Sequence, residues 1–86
     1  VLDWYADIGR LLVAGPELPA DRAIARGCER VEALVAALEI PRLSSWGVRD
    51  DDVERIVGLA RSSSSMRGNP VALSDQQLIA TLRSAV

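Results

Sequence analysis

Apolar residues recur every three or four positions over most of the chain, which is the spacing that places side chains on one face of an α-helix. The first such series comprises Leu2, Tyr5, Ile8 and Leu12. It predicts a helix from Leu2 to about Val13. The following Gly15-Pro16 predicts its end, because glycine suits a helix C-cap and proline cannot continue the helix.

The second series has the strongest periodicity in the chain. It comprises Ile24, Cys28, Val31, Leu34, Val35 and Leu38. Asp21 is a candidate N-cap for this helix, or Pro19 occupies the first helical position and starts it earlier. Pro41 ends it, because the residue before a proline avoids the α region. Arginines repeat at steps of four from Arg22 to Arg30, so surface ion pairs give little support and tertiary packing must hold the helix.

The third predicted helix begins in the acidic triplet 50–52. Asp51 and Glu54 have the spacing of a capping box, with Asp50 as an alternative cap, and carboxylates at this end also suit the helix dipole. Its predicted buried face comprises Val53, Ile56, Val57 and Ala60. Ahead of it, residues 43–46 predict a single 3₁₀ turn that Gly47 closes. Behind it, residues 61–65 predict a fading helix end.

The last predicted helix has the clearest start signal in the chain. Ser74 and Gln77 form a Ser-x-x-Gln capping box, and Leu73 with Leu78 forms a hydrophobic staple. The residues predicted to face inward are Leu78, Ile79 and Leu82, and the helix runs to the end of the chain at Val86. The preceding residues 66–70 predict a loop, because glycine and Asn-Pro break helices.

These elements predict an all-α fold: a small bundle of about four helices in a single helical subdomain over residues 1–86. Eighty-six residues make one domain at most, and no stretch alternates as a strand does. The aromatic fraction of 3% leaves the core to aliphatic side chains. Because the chain starts at Val1 inside a predicted helix, without an initiator methionine, we expect it to be a fragment of a longer protein.

Composition excludes several classes of function. All ten basic residues are arginines against twelve acidic residues, and the isoelectric point near 5.0 predicts no nucleic-acid partner. No apolar stretch is long enough to cross a bilayer. One cysteine cannot form an intrachain disulfide, and no signal peptide is visible, so we expect a cytoplasmic protein.

The residue types of common active sites are missing or badly spaced. With no histidine, the chain has no His-based general base, Ser-His-Asp triad or histidine metal site. The six glycines lie too far apart for a phosphate-binding loop or a dinucleotide fingerprint. We therefore predict no catalytic, cofactor-binding or metal-ligating residue in this chain.

Four features have both a functional and a structural interpretation, and the structural one is favoured for each. The acidic cluster 50–54 lacks EF-hand spacing and fits helix capping better than a cation site. Cys28, on the apolar stripe, fits a small buried hydrophobe better than a reactive thiol. Trp46 fits a core anchor. The serines with Met66 to Asn69 fit a frayed helix end and turn better than an anion site.

From Leu38 onward, short motifs follow one another in a specific order and spacing. They are Leu38-Glu39-Ile40-Pro41, Leu43-Ser44-Ser45-Trp46-Gly47-Val48, Asp50-Asp51-Asp52-Val53, Ser63-Ser64-Ser65-Met66-Arg67-Gly68-Asn69-Pro70, Leu73-Ser74-Asp75 and the helix from Leu78 to Leu82. This series resembles the C-terminal end of the iron-containing (group III) alcohol dehydrogenases, with Arg67 where lysine is common. Residues 1–37 are compatible with that family and match it less specifically.

The resemblance implies a parent enzyme with an N-terminal nucleotide-binding domain and a helical C-terminal domain. Such enzymes interconvert an alcohol and an aldehyde or ketone with NAD(P), and one Asp and three His hold Fe²⁺ or another divalent metal. Those ligands lie upstream of the matched tail, so none carries over to this chain. The chain would be the non-catalytic, structural end of the helical domain, with the rest of the parent chain or a homodimer partner as its partners.

Two alternatives do not involve a dehydrogenase. The stripe on the second predicted helix suits an independent helical module for protein–protein interaction or dimerisation. The short connector after that helix also permits a helix-turn-helix DNA binder. The acidic start of the third predicted helix argues against DNA, because phosphate contacts need basic residues there.

Overall fold

The computed structural model describes residues 1–86 and confirms the all-α prediction, with no residue in a β-strand. Its five α-helices are α1 (Leu2–Leu12), α2 (Ala20–Ala37), α3 (Val53–Ala60), α4 (Ser64–Arg67) and α5 (Asp75–Ala85), with 3₁₀ turns at Leu43–Trp46 and Asp50–Asp52. The chain divides into two compact units, which we call unit 1 (Val1–Ile40) and unit 2 (Pro41–Val86). The single subdomain over residues 1–86 stays a prediction.

Unit 1 is a helical hairpin in which α1 packs against α2 through the smallest side chains of both helices. Its buried residues are Ala6 and Gly9 on α1, and Ala23 and Gly27 on α2. A Cβ on Gly9 would lie only 2.0 Å from the carbonyl oxygen of Ala23, and one on Gly27 would lie 2.8 Å from the Cα of Gly9. The two backbones therefore cross in direct contact, at a point that excludes any side chain.

Both helices of unit 1 end in the same backbone motif. After α1, the N–H of Gly15 donates to the carbonyl of Arg10 and that of Ala14 to Leu11, while Ala14 takes a positive φ of 51°. This is a Schellman motif with alanine in the left-handed position. The sequence predicted Gly15 as the capping residue, so the prediction was off by one position.

The end of α2 repeats the pattern with a charged residue. The N–H of Ile40 donates to Val35 and that of Glu39 to Ala36, and Glu39 has a φ of 53°. The helix therefore closes before Pro41 can restrict it. At its other end the helix starts at Ala20 with Pro19 as N-cap, earlier than Asp21 and without a side-chain cap.

Unit 2 buries aliphatic side chains between α3 and α5, which pack against each other. Val53 is fully buried, and Val57 and Leu78 are nearly so. Ile56, Ala60, Ile79 and Leu82 surround them at intermediate burial, so the predicted inward faces of both helices are confirmed.

Local motifs shape the rest of unit 2 much as predicted. Gly47 closes the 3₁₀ turn at Leu43–Trp46 with a φ of 89°. The Ser74–Gln77 capping box forms in both directions: Ser74 Oγ accepts from the N–H of Gln77 at 3.2 Å, and Gln77 Oε1 accepts from the N–H of Ser74 at 2.8 Å. The predicted loop at 66–70 is partly wrong, because Ser63 Oγ accepts from the N–H of Met66 and caps the extra helix α4.

One side chain closes the two ends of unit 2 onto each other. Arg42 donates from Nε to the carbonyl oxygen of Val86 at 2.8 Å, and from a terminal nitrogen to that of Ser84 at 2.6 Å. The Ser44 hydroxyl also donates to the Val86 carbonyl, at 3.2 Å. These bonds satisfy carbonyls at the C-terminal end of α5 that have no partner within the helix.

Candidate functional site

The most distinctive surface in the chain is an apolar groove along the hairpin of unit 1. Its volume is about 360 Å³. The lining residues are Tyr5, Ile8, Gly9 and Leu12 from α1, and Ile24, Gly27, Cys28, Val31 and Glu32 from α2. We call this surface the hairpin groove.

The groove follows directly from the crossing of the two backbones. Because glycines form the contact, larger side chains such as Tyr5, Ile8 and Val31 lie on either side of it and remain 41%, 52% and 48% exposed. Gly9 and Gly27 become the floor, Tyr5 and Ile8 one wall, and Val31 part of the other. The apolar face that the first series predicted for α1 therefore exists, but it stays about half exposed in unit 1.

Exposure is concentrated on unit 1. Of the fifteen large hydrophobic side chains that are exposed, twelve lie in unit 1. Val31, in the middle of the second predicted stripe, is 48% exposed, and Val35 and Leu38 extend the stripe beyond it at 41% and 68%. A large exposed apolar patch of this kind commonly marks a surface that another molecule or segment covers.

Cys28 lines the hairpin groove and is exposed. The expectation of a small buried hydrophobe was wrong, because the residue lies on the open side of α2 rather than at its contact with α1. The thiol is therefore accessible to reagents while its neighbours are apolar, and it can report on whether the groove is covered.

Charges lie mostly on other sides of the hairpin. Glu32 is the one acidic residue that lines the groove. Arg26 and Arg30 line a separate shallow depression with Glu29 and Val13, and Arg26 pairs with Glu29 at 3.6 Å. Arg10 pairs with Asp7 and donates to the carbonyl of Leu18. The groove is thus nearly free of charge within a chain that is 26% charged.

The acidic cluster of unit 2 works as a helix start. Asp52 Oδ2 accepts from the N–H of Arg49 at 2.9 Å and its Oδ1 accepts from Arg55 at 3.3 Å. The backbone bond from Arg49, followed by the side chain of Arg55, holds the pKa of Asp52 below its ordinary value. The capping box of Asp51 with Glu54, and the alternative cap Asp50, were wrong: a 3₁₀ turn precedes α3, Arg49 is its N-cap residue, and Asp52 takes the role predicted for Glu54.

Other members of the cluster pair with distant residues of unit 2. Asp50 binds Arg83 of α5 at 2.7 Å. Asp75, in the first turn of α5, pairs with Arg61 after α3. These exposed pairs join the two helices at both ends, and each contributes little to stability by itself.

Two further expectations concern single residues and segments of unit 2. Trp46 is 76% exposed, so the prediction of a core anchor was wrong. Its position in the 3₁₀ turn directs the side chain outward. The serine-rich segment forms α4, and Met66 reaches an apolar gap of about 210 Å³ lined also by Val57, Leu78 and Leu82. Arg67 lines a second small cavity with Arg61, which Asp75 already neutralises.

The residue types present do not fit a metal centre. The chain has no histidine, and no three Cys, Asp or Glu side chains lie close enough together to hold an ion. No helix is both long and apolar enough to cross a membrane. A scan of protein-family profiles, a search of curated proteins and a search of solved structures each found no match to this chain.

Proposed function

We propose that this chain is the helical C-terminal segment of a metal- and NAD(P)-dependent alcohol dehydrogenase of the iron-containing type. The observation that carries the proposal is the ordered series of motifs from Leu38 to Leu82. In this role the chain contributes structure, and the parent chain would interconvert an alcohol and an aldehyde or ketone.

The local geometry of unit 2 supports the proposal, because the motifs coincide with structural devices. Gly47 of the Leu-Ser-x-x-Gly-Val motif closes a turn with a positive φ. Ser74 of the Leu-Ser-Asp motif caps α5. The backbone restricts which residues fit at a left-handed turn or at a helix N-cap. A match to the family's motifs at these two positions therefore supports the resemblance.

The metal and the nucleotide would be bound elsewhere in the parent. No residue of this chain supplies a histidine ligand, and no glycine-rich loop is present to hold a pyrophosphate. The chain's own contribution is the packed core around Val53, Val57 and Leu78, which would support the domain that carries those sites.

The test begins with the complete coding sequence that contains this chain. We expect a glycine-rich nucleotide motif, one Asp and three His in the encoded protein outside these residues. The purified protein should bind a divalent metal and oxidise alcohols with NAD⁺ or NADP⁺, whereas the 86-residue chain alone should do neither. A complete protein without such ligands, or one inactive on every alcohol when loaded with Fe²⁺ or Zn²⁺, would contradict the proposal.

A substitution separates a structural role from a catalytic one. Val53→Ala in the complete protein should lower its thermal stability and leave kcat for each metal-loaded site unchanged. A fall in kcat at full metal loading would instead assign this segment a part in the chemistry.

A second candidate function is an independent helical interaction module. The uncovered hairpin groove favours it, because a nearly charge-free apolar surface of this size usually binds a partner.

A further inference from the structure

We propose that Met66 is a site of reversible oxidation, at which hydrogen peroxide converts the thioether to a sulfoxide and thereby moves the side chain from one cavity of unit 2 to another. The proposal goes beyond the dehydrogenase assignment and does not depend on it. Three observations carry it: the dependence of α4 on this one side chain, and the opposite chemical character of the two cavities that the side chain lines.

The short helix α4 is attached to unit 2 through Met66. Four residues are too few to form a stable helix by themselves, and Met66 is the one residue of α4 that is not exposed. The other restraints are local hydrogen bonds. Ser63 Oγ accepts from the N–H of Met66 at 3.2 Å, and the N–H of Gly68 donates to the carbonyl of Ser64 at 3.1 Å. The packing of the Met66 side chain therefore decides whether α4 stays in place.

The first cavity is the apolar gap of about 210 Å³ between α3 and α5. Apart from Thr81 and Met66 itself, every residue that lines it is aliphatic. The Thr81 hydroxyl already donates to the carbonyl of Gln77 at 2.8 Å. A thioether suits such a gap because it is apolar and flexible. A sulfoxide oxygen would find no hydrogen-bond donor there, and an unpaired polar group in an apolar site is unfavourable.

The second cavity, also of about 210 Å³, has polar side chains in its lining. Arg61 is bound to Asp75, and Asn69 donates to a backbone carbonyl. Arg67 lines the same cavity, and its guanidinium has several N–H donors. Because Met66 lines both cavities, a rotation of its flexible side chain can carry a sulfoxide oxygen from the gap to these donors.

The reaction transfers one oxygen atom and two electrons. A lone pair of the thioether sulfur attacks one oxygen of hydrogen peroxide, the O–O bond breaks as the S–O bond forms, and the departing oxygen leaves as water with the proton of the transferred oxygen. The sulfur is oxidised and the peroxide is reduced. Methionine sulfoxide reductases return the thioether at the expense of thiols. Met66 is the only methionine of the chain and is half-buried, so its sulfur can be reached without unfolding.

Peroxide treatment of the folded chain tests the proposal, in a Cys28→Ser background that removes the other reactive sulfur. We expect mass spectrometry to find one added oxygen atom on Met66, formed within about tenfold of the rate for free N-acetylmethionine. Nuclear Overhauser contacts of the Met66 methyl group with Leu78 and Leu82 should be lost on oxidation, and contacts with Val71 in the second cavity should appear. Treatment with methionine sulfoxide reductases should restore the first set.

Two variants separate the parts of the proposal. Met66→Leu fills the gap with a side chain that peroxide does not oxidise, so its melting temperature should be the same before and after treatment. The methionine chain should melt at a lower temperature once oxidised. Arg67→Leu removes the donor of the second cavity and should weaken the new contacts between oxidised Met66 and Val71.

Oxidation of Met66 that occurs only when urea unfolds the chain would overturn the proposal, and so would a sulfoxide that keeps its contacts with Leu78 and Leu82. Equal melting temperatures of the reduced and oxidised chains would also overturn it, as would undiminished contacts with Val71 in Arg67→Leu. None of these results bears on the activity expected of the complete dehydrogenase.

Discussion

Unit 1 and unit 2 are of similar length and both are helical, yet they bury their apolar side chains to different extents. Unit 1 has the strongest helical periodicity in the sequence, and its buried residues are only alanine and glycine. Unit 2 has weaker periodicity and a serine-rich interruption, and it buries Val53, Val57 and Leu78 within itself. Periodicity therefore indicates which face of a helix is apolar, and a partner decides whether that face becomes a core.

The largest effect is expected at the crossing in unit 1. Gly9→Ala would place its Cβ 2.0 Å from the Ala23 carbonyl oxygen, so α1 and α2 must separate. We expect a loss of about 3 kcal/mol from unit 1, measured by amide hydrogen exchange of α1 and α2 at a fixed protein concentration.

Gly58→Ala on α3 is the matched control for that change. A Cβ there meets nothing within 4 Å, so the substitution should stabilise unit 2 by about 0.5–1 kcal/mol through helix propensity. Equal effects of the two substitutions would show that the helices of unit 1 are not held by backbone contact.

One chemical change made in both units measures the difference in burial directly. Val53→Ala removes a fully buried side chain and should destabilise unit 2 by about 2 kcal/mol. Val31→Ala removes a half-exposed one and should change the stability of unit 1 by less than about 0.5 kcal/mol. Urea unfolding of each variant checks both values, and a large loss from Val31→Ala would mean that unit 1 covers its own stripe.

The two units also begin their helices differently. Ser74→Ala removes both halves of the capping box of α5 and should cost unit 2 about 1 kcal/mol. α2 of unit 1 has no side-chain cap to lose. Ser65→Ala, an exposed serine within α4, is the control and should be nearly neutral in the same thermal unfolding experiment.

The helix ends of unit 1 offer a stabilising change. Ala14 and Glu39 adopt positive φ angles at a position that favours glycine. Ala14→Gly and Glu39→Gly should each stabilise unit 1 by about 0.5–1 kcal/mol. The reverse change in unit 2, Gly47→Ala at a φ of 89°, should destabilise it by a similar amount. A drop in melting temperature for both glycine variants of unit 1 would contradict the Schellman assignment.

The smallest effect is a pH dependence confined to unit 2. The folded pKa of Asp52 lies below its ordinary 3.8, so the ionised carboxylate is bound more favourably in the folded state. Its contribution is present above pH 3.8 and is lost as the pH falls through the lowered pKa. Asp52→Asn should flatten the acid limb of the curve of unfolding free energy against pH, measured by urea unfolding between pH 2 and pH 7.

Sequence reasoning succeeded where structure is determined locally. The Ser74–Gln77 box and the turn closed by Gly47 each depend on a few neighbouring residues, so their patterns were sufficient. The extra helix α4 was missed because a run of four serines resembles a frayed end, although Ser63 can cap as any serine does.

The hairpin groove could not be predicted from periodicity. The crossing depends on Gly9 and Gly27 meeting across a connector, which is information about two helices together. Cys28 and Trp46 were expected inside because apolar residues usually are, but their exposure depends on what lies opposite them. The glycines on either helix were the available signal, since small residues at matching positions permit a close helix contact.

The bonds from Arg42 to the carbonyls of Ser84 and Val86 have a topological consequence. They bring the first residues of unit 2 within reach of its last residues, because a single side chain spans the distance between them. A segment whose two ends meet can be carried as an insertion in a surface loop of another protein with little loop-closure cost. We therefore expect that a short linker could join position 41 to position 86, and that new termini opened near Gly68 would leave the packing of α3 on α5 intact.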